Sequence, residues 1–271
     1  MLTVGSLFAG IGGFDLGLER TGGFKVVWQC EIDPYCQRVL AKRWPGVKRY
    51  GDIRELTDVE RVDVLCGGFP CQDISNAGKR AGIDGERSGL WSEYVRIIRL
   101  VRPRYVVVEN VAALLGRGIG RVLGDLSESG YDAEWDVIPA SSIGAPHRRE
   151  RVWLVAYPSG SRGRSGGRPV TARAETSYRG PEVAYTNHEG LEGWTQALRP
   201  QKERGTYPRY IGAQVGGIRR DEWWSAEPDV GRVANGVPNR VDRLKGLGNA
   251  IVPQIATWIG ERILEHERRA V

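Results

Sequence analysis

Val62-Asp63-Val64-Leu65-Cys66-Gly67-Gly68-Phe69-Pro70-Cys71-Gln72 is the stretch on which the fold turns, a short apolar run that passes through two glycines and a proline into a thiol. A run of that length bounded by turn residues reads as a strand buried on both faces of a sheet. A second run, Tyr105-Val106-Val107-Val108-Glu109-Asn110-Val111, ends in a carboxylate and an amide. In open α/β sheets the carboxyl ends of the strands line the ligand crevice, so Cys71 and Glu109 are expected to face one substrate. A thiol nucleophile beside a carboxylic acid suits few reactions.

Working outward, strands and helices alternate. Thr3 to Phe8 reads as a strand, Gly10, Gly12 and Gly13 as a tight turn, and Asp15 to Arg20 as the start of a helix. Lys25 to Glu31 is a second strand, Pro34 to Arg43 a helix, and Leu90 to Val101 an amphipathic helix that stops before Pro103. This order predicts an α/β fold with a doubly wound, mostly parallel sheet. Trp135 to Ile138 and Val152 to Tyr157 are close enough in sequence to form an antiparallel edge. Thr257 to Glu267 reads as a helix that buries Trp258, Ile259, Ile263 and Leu264 and returns to pack on the first domain.

Between these parts the character changes. Ser159 to Pro169 is rich in serine, glycine and arginine and shows no apolar period of either 2 or 3.6, so no secondary structure is expected there. We divide the chain into a sheet domain at 1–157, an irregular small domain at 158–227, and a C-terminal return at 228–271. Of the net charge of +6, residues 157–220 hold eleven Lys/Arg against five Asp/Glu, leaving 28 of each sign elsewhere. A basic module joined to a neutral one is what phosphate neutralisation on nucleic acid requires, although a solvated basic insert has the same composition.

The four cysteines, Cys30, Cys36, Cys66 and Cys71, form no C-x-x-C pair and have no histidine at zinc-ligand spacing. Reduced thiols and no metal are expected. The N-terminus has no basic lead-in followed by a hydrophobic region, and no long apolar run occurs, which points to a soluble cytoplasmic protein that does not enter membranes.

Glycines directly after a first strand let a ligand approach the backbone, and an acidic residue about twenty positions later can accept from ribose hydroxyls. Glu31 stands at that place. The strict dinucleotide pattern asks for glycine where this chain has Asp15, so a nucleoside cofactor without a pyrophosphate fits better.

Together, Ser6-Leu7-Phe8-Ala9-Gly10-Ile11-Gly12-Gly13, Gly67 to Gln72, Glu109-Asn110-Val111 and Gly248-Asn249-Ala250-Ile251-Val252-Pro253 resemble the DNA (cytosine-5)-methyltransferase family of the bacterial and phage modification type. The resemblance follows the family's motif order over residues 3–157 and 228–260. It implies the S-adenosylmethionine-dependent methyltransferase fold and S-adenosylmethionine as cofactor. The cofactor would be held by Phe8, Gly10, Gly12, Gly13, Glu31, Ile32, Asp52, Ile53, Leu90 and Asn249. Cys71 would be the nucleophile and Glu109 the acid, with Pro70, Gln72, Ser75, Arg87 and Asn110 on the substrate side. In Ala145 to Trp153 the family carries Gln-x-Arg-x-Arg; here Arg149 and Arg151 match the arginines while His147 replaces the glutamine. Arg151 would hold the cytosine O2 and Arg149 would steady the catalytic loop.

The target carbon is hidden in a duplex, so the base must be extruded, with the loop 73–87 closing from one side and the basic region 158–227 reading double-stranded DNA from the other. Trp223-Trp224 are expected to pack the joint between domains. A monomer, with any cognate restriction endonuclease acting separately, is the expected state. Three rival readings are weighed. A tRNA cytosine-5 methyltransferase would carry a Cys-Phe-Thr signature, but no cysteine follows Cys71. A silent DNA-binding regulator would not need Cys71, Glu109 and Arg151 together. A redox or NAD-binding protein lacks its motifs here.

Overall fold

In the computed structural model, residues 1–70, 89–160 and 240–269 are described. Cys71, Gln72, Ser75 and Arg87, the loop 73–87, the expected recognition region 158–227 beyond Gly160, and Trp223-Trp224 lie outside the described residues. Among the described residues, seven strands form one sheet: β1 (Leu2–Leu7), β2 (Phe24–Cys30), β3 (Lys48–Tyr50), β4 (Val64–Gly67), β5 (Tyr105–Val111), β6 (Tyr131–Ile138) and β7 (Arg151–Pro158). Their order is β3-β2-β1-β4-β5-β7-β6. The pairings from β3 through β5 are parallel, while β7 runs antiparallel to both β5 and β6, as the short connection predicts.

The chain leaves β1 toward β2 and β3 on one side, then crosses back to β4 and β5 on the other. Strand order therefore reverses between β1 and β4, and a ligand crevice opens at such a point. Leu7 is in register with Gly67, so the glycine turn after β1 and the loop after β4 leave the sheet side by side.

The helices are α1 (Gly13–Glu19), α2 (Pro34–Arg43), α3 (Leu90–Val101), α4 (Leu114–Arg117), α5 (Ile119–Glu128), α6 (Arg240–Gly248) and α7 (Pro253–Arg269). Alternate strand residues feed two cores. Leu65, Val106 and Val108 pack with Trp91, Ile97 and Ile98 of α3 and with Val122 and Leu126 of α5. Val64, Cys66 and Val107 pack with Phe14 and Leu18 of α1 and with Ile255, Ile259 and Ile263 of α7. A parallel sheet covered on both faces explains why β4 and β5 read as nearly continuous apolar runs.

The C-terminal helix returns to the sheet domain as expected. Thr257 Oγ1 donates to the Gly17 carbonyl at 2.8 Å, and a Cβ on Gly17 would stand 2.3 Å from the Pro253 oxygen. Asp15 is fully buried beneath the glycine turn, accepts from Gln29 Nε2 at 2.7 Å, and is pushed up to about 6 by burial. Among the described residues no helix is long and apolar enough to cross a membrane.

Candidate active site

Glu109 is the centre of the candidate catalytic side. It lies on β5 one residue beyond the Gly67–Val108 pairing, so the sheet carries it to the loop that ends in Pro70. A Cβ on Gly68 would stand 2.8 Å from Glu109 Oε2, which makes glycine the residue that lets this carboxyl tuck beneath the loop. The side chain is only 13% exposed. Burial pushes its carboxyl up to about 7, against the opposing pull of Arg151 and Arg149. A buried acid of this kind retains a proton near neutral pH.

Arg151 and Glu109 meet because antiparallel register places them diagonally on one face. Val111 faces Arg151 and Glu109 faces Trp153, leaving Arg151 Nε 3.1 Å from Glu109 Oε1. Arg149 sits two residues earlier with φ of 38°, a left-handed conformation unusual for a side-chain-bearing residue. Its Nη2 donates to the carbonyls of Gly248 at 2.9 Å and Ala250 at 2.7 Å. Burial and the neighbouring Arg151 hold the Arg149 guanidinium below its ordinary pKa.

Asn110, expected on the substrate side, is buried. Its Nδ2 donates to the Phe69 carbonyl at 3.1 Å and its Oδ1 accepts from Val111 N–H at 2.9 Å. Its contacts therefore fix the backbone immediately before the partly buried Pro70. Phe69 is fixed in turn by Trp91, at 5.2 Å between ring centroids, and a chain of rings continues through Tyr94 to Phe8.

The other side of the crevice is built on the glycine turn. Phe8 has φ of 50°, Gly10 of 55° and Gly12 of 84°, so the turn departs sharply from the strand. A Cβ on Gly13 would press on the Ile251 carbonyl at 2.7 Å, whereas Gly10 has nothing within 4 Å of that position. Gly10 N–H donates to Glu31 Oε2 at 2.7 Å and Asp33 N–H to Oε1 at 2.8 Å. Beside Glu31, Ile32 is 61% exposed, an unusual position for a large apolar side chain.

Asp52 and Ile53 are brought to the same edge. Glu31 N–H donates to the Tyr50 carbonyl at 3.0 Å and the Cys30 thiol to the Gly51 carbonyl at 3.3 Å. The Asp52 carboxylate is gripped by Arg54, which holds it below the usual carboxylate range. Ile53 is buried and its carbonyl accepts from Arg96 Nη2 at 2.8 Å. Leu90 opens α3 against the core, and exposed Asn249 follows α6.

These groups fit a nucleoside cofactor. Each Glu31 oxygen keeps a lone pair beyond its backbone partner for a ribose hydroxyl, and the open space over Gly10 and exposed Ile32 give an aromatic ring a surface. Two positions escape a sequence reading. Gly68 makes room for the acid, and Ile251 touches both the glycine turn and Gly68. The Gly67-Gly68 pair was visible in sequence; which carboxyl it admits was not.

A glycine turn with a ribose-type carboxylate on one side of the switch point, and a buried acid with two arginines on the other, make up an α/β fold of the methyltransferase class. The C-5 cytosine-specific DNA methylase family model matches residues 2–196, and the chain belongs to that family. It is similar to type II methyltransferase M2.BsuMI of Bacillus subtilis (strain 168), with 31% identity over 97% of this chain and 75% of that protein. It is also similar to type II methyltransferase M.Bsp6I of Bacillus sp. (strain RFL6), with 38% identity over 58% of this chain and 52% of that one. The chain thus spans about half of the second relative. A solved DNMT2 structure from Spodoptera frugiperda shares the fold, with a TM-score of 0.50 and 19% identity over 75% of this chain and 61% of that one.

Proposed function

We propose that this protein transfers a methyl group to C5 of a cytosine within a specific sequence of double-stranded DNA, through a covalent bond between Cys71 and C6 of an extruded base. The observation that carries this reading is the buried Glu109, whose carboxyl is raised to about 7 by burial and lies under Gly68, three residues before Cys71. The other three cysteines are buried, and burial pushes Cys30 and Cys36 up to about 12 and Cys66 well above the usual thiol range. Such thiols do not ionise to nucleophiles. Cys71, two residues after the Phe69 whose carbonyl Asn110 holds, is the thiol left for that task.

C5 of cytosine is too weak a nucleophile to attack a sulfonium methyl group unaided. Addition of the Cys71 thiolate to C6, with Glu109 donating a proton or hydrogen bond to N3, gives C5 enamine character. Arg151, already paired with Glu109, would hold the O2 of the ring, and Arg149 fixes the loop that carries Asn249. Once C5 has gained the methyl group, loss of the C5 proton restores the ring and expels the thiolate. Bound S-adenosylmethionine supplies the electrophilic methyl group. Its ribose would be held by Glu31 and its adenine by the surface formed by Phe8, Ile32, Asp52, Ile53 and Leu90, with the glycine turn and Asn249 completing the pocket.

Labelled methyl transfer from S-adenosylmethionine to unmethylated bacterial genomic DNA, with identification of the product base by mass, tests the reading. Activity yielding 5-methylcytosine that disappears in Cys71→Ala is the expected result. Duplexes made from the methylated sequence with 5-fluorocytosine at the target should trap wild-type protein as a covalent adduct on a denaturing gel. Methylation without that adduct would sink the covalent mechanism.

A further inference from the structure

One segment touches both halves of the crevice. Residues 245–251, the end of α6 and the turn into α7, run as a strap across the switch point. At one end Lys245 Nζ pairs with Asp33 Oδ2 at 2.7 Å. Asp33 Oδ1 caps α2 by accepting from the Tyr35 and Cys36 N–H groups, while its own N–H donates to Glu31 Oε1. The lysine thus grips the turn whose backbone holds the ribose-type carboxylate. Gly246 follows, with so little clearance that a Cβ would stand 3.3 Å from Ile11 Cγ2 of the glycine turn and 3.5 Å from the Tyr35 ring.

At its other end the strap meets the catalytic groups. Arg149 hooks the carbonyls of Gly248 and Ala250, and the same arginine lies beside Arg151 and Glu109. Ile251 then closes the span, its carbonyl against Gly13 and its side chain toward Gly68. Asn249 closes the same helical turn, its N–H donating to the Lys245 carbonyl at 3.1 Å.

We infer that Lys245 is a positioning residue which, through this strap, couples occupancy of the nucleoside site to the groups that receive the base. This deepens the methyltransferase reading and rests on it. A ligand drawing on Glu31 fixes the Asp33 turn, which fixes Lys245, the carbonyls that seat Arg149, and hence the Arg149–Arg151–Glu109 set. Such coupling is reciprocal, so DNA must tighten cofactor binding by the same factor by which cofactor tightens DNA binding.

The test uses full-length protein, S-adenosylhomocysteine as a non-reacting probe, and sonicated unmethylated bacterial genomic DNA. The affinity of the probe is measured with and without saturating DNA, and that of DNA with and without the probe. In wild type each ligand should strengthen the other. Lys245→Met should shrink that coupling factor by about two- to fivefold, the range an exposed ion pair carries, while Lys245→Arg restores it. Arg104→Met, which breaks the Arg104–Glu267 ion pair at the start of β5, serves as a control for loss of a surface pair and should leave the coupling factor unchanged. The inference is overturned if Lys245→Met weakens both affinities but keeps their coupling, or if wild type shows no coupling. Either result can accompany intact methyl transfer, so failure here is distinguishable from failure of the methylation reading.

Discussion

Glu109 shows how a residue's chemistry follows from its neighbours. Its identity and strand-end position were legible in the sequence, whereas the thiol expected to face it, Cys71, lies outside the described residues. What was hidden was the contact with Gly68 and the diagonal approach of Arg151, because both depend on strand order and register. The raised carboxyl has a consequence for rate. Glu109 is protonated below about 7 and ionised above it, so a role as donor predicts that kcat/KM falls as pH rises through about 7. The thiolate proposed at Cys71 would act in the opposite sense, on the acid limb. Glu109→Gln retains a hydrogen-bond donor but has no proton to transfer, and its rate should drop by roughly 10²–10⁴. Its alkaline limb should vanish with it. An unchanged alkaline fall in the glutamine variant would show that another group titrates.

At the scale of elements, legibility followed the strength of the apolar pattern. α2 and α3 were bounded correctly at Pro34–Arg43 and Leu90–Val101, since Asp33 with Pro34 marks one start and Pro103 follows the other end. α5 went unread because Gly116, Gly118, Gly120 and Gly124 suggest a loop, and only Val122 and Leu126 are fully buried on it. β6 begins at Tyr131, four residues before the expected Trp135, because Asp132 and Glu134 alternate with the inward residues. β3 is a three-residue edge strand, too short to leave a period. These packing differences predict opposite outcomes for two glycine-to-alanine changes within helices. At Gly17 the new methyl group would meet the Pro253 oxygen at 2.3 Å and Ala256 Cβ at 2.6 Å, so α7 must shift. Gly17→Ala should therefore cost about 1–3 kcal/mol. Gly124 has nothing within 4 Å, and Gly124→Ala should stabilise by about 0.5–1 kcal/mol. Thermal unfolding of the two variants checks both; equal shifts would mean that α7 does not press on α1 as described.

At the scale of the whole molecule, charge and chemistry are separated along the chain. The groups proposed to hold the cofactor and the base lie within 1–157 and 240–269, whereas the net positive charge of the sequence is concentrated in 157–220. Each phosphate contact contributes about −0.9 to the slope of log affinity against log salt, so a segment with eleven cations can supply most of the grip on a duplex. Deleting residues 159–220 leaves nineteen residues, 221–239, to join β7 to α6. At roughly 3.3 Å each, these can reach tens of ångströms. The shortened protein should bind S-adenosylhomocysteine with near-normal affinity, because Glu31, the glycine turn and Asn249 are retained. It should bind genomic DNA weakly, with a flatter salt slope, and lose sequence-selective methylation. Sequencing of the methylated product decides the matter: the same sites modified by the shortened protein would place specificity in the sheet domain and its loops, and would leave the basic segment with charge alone.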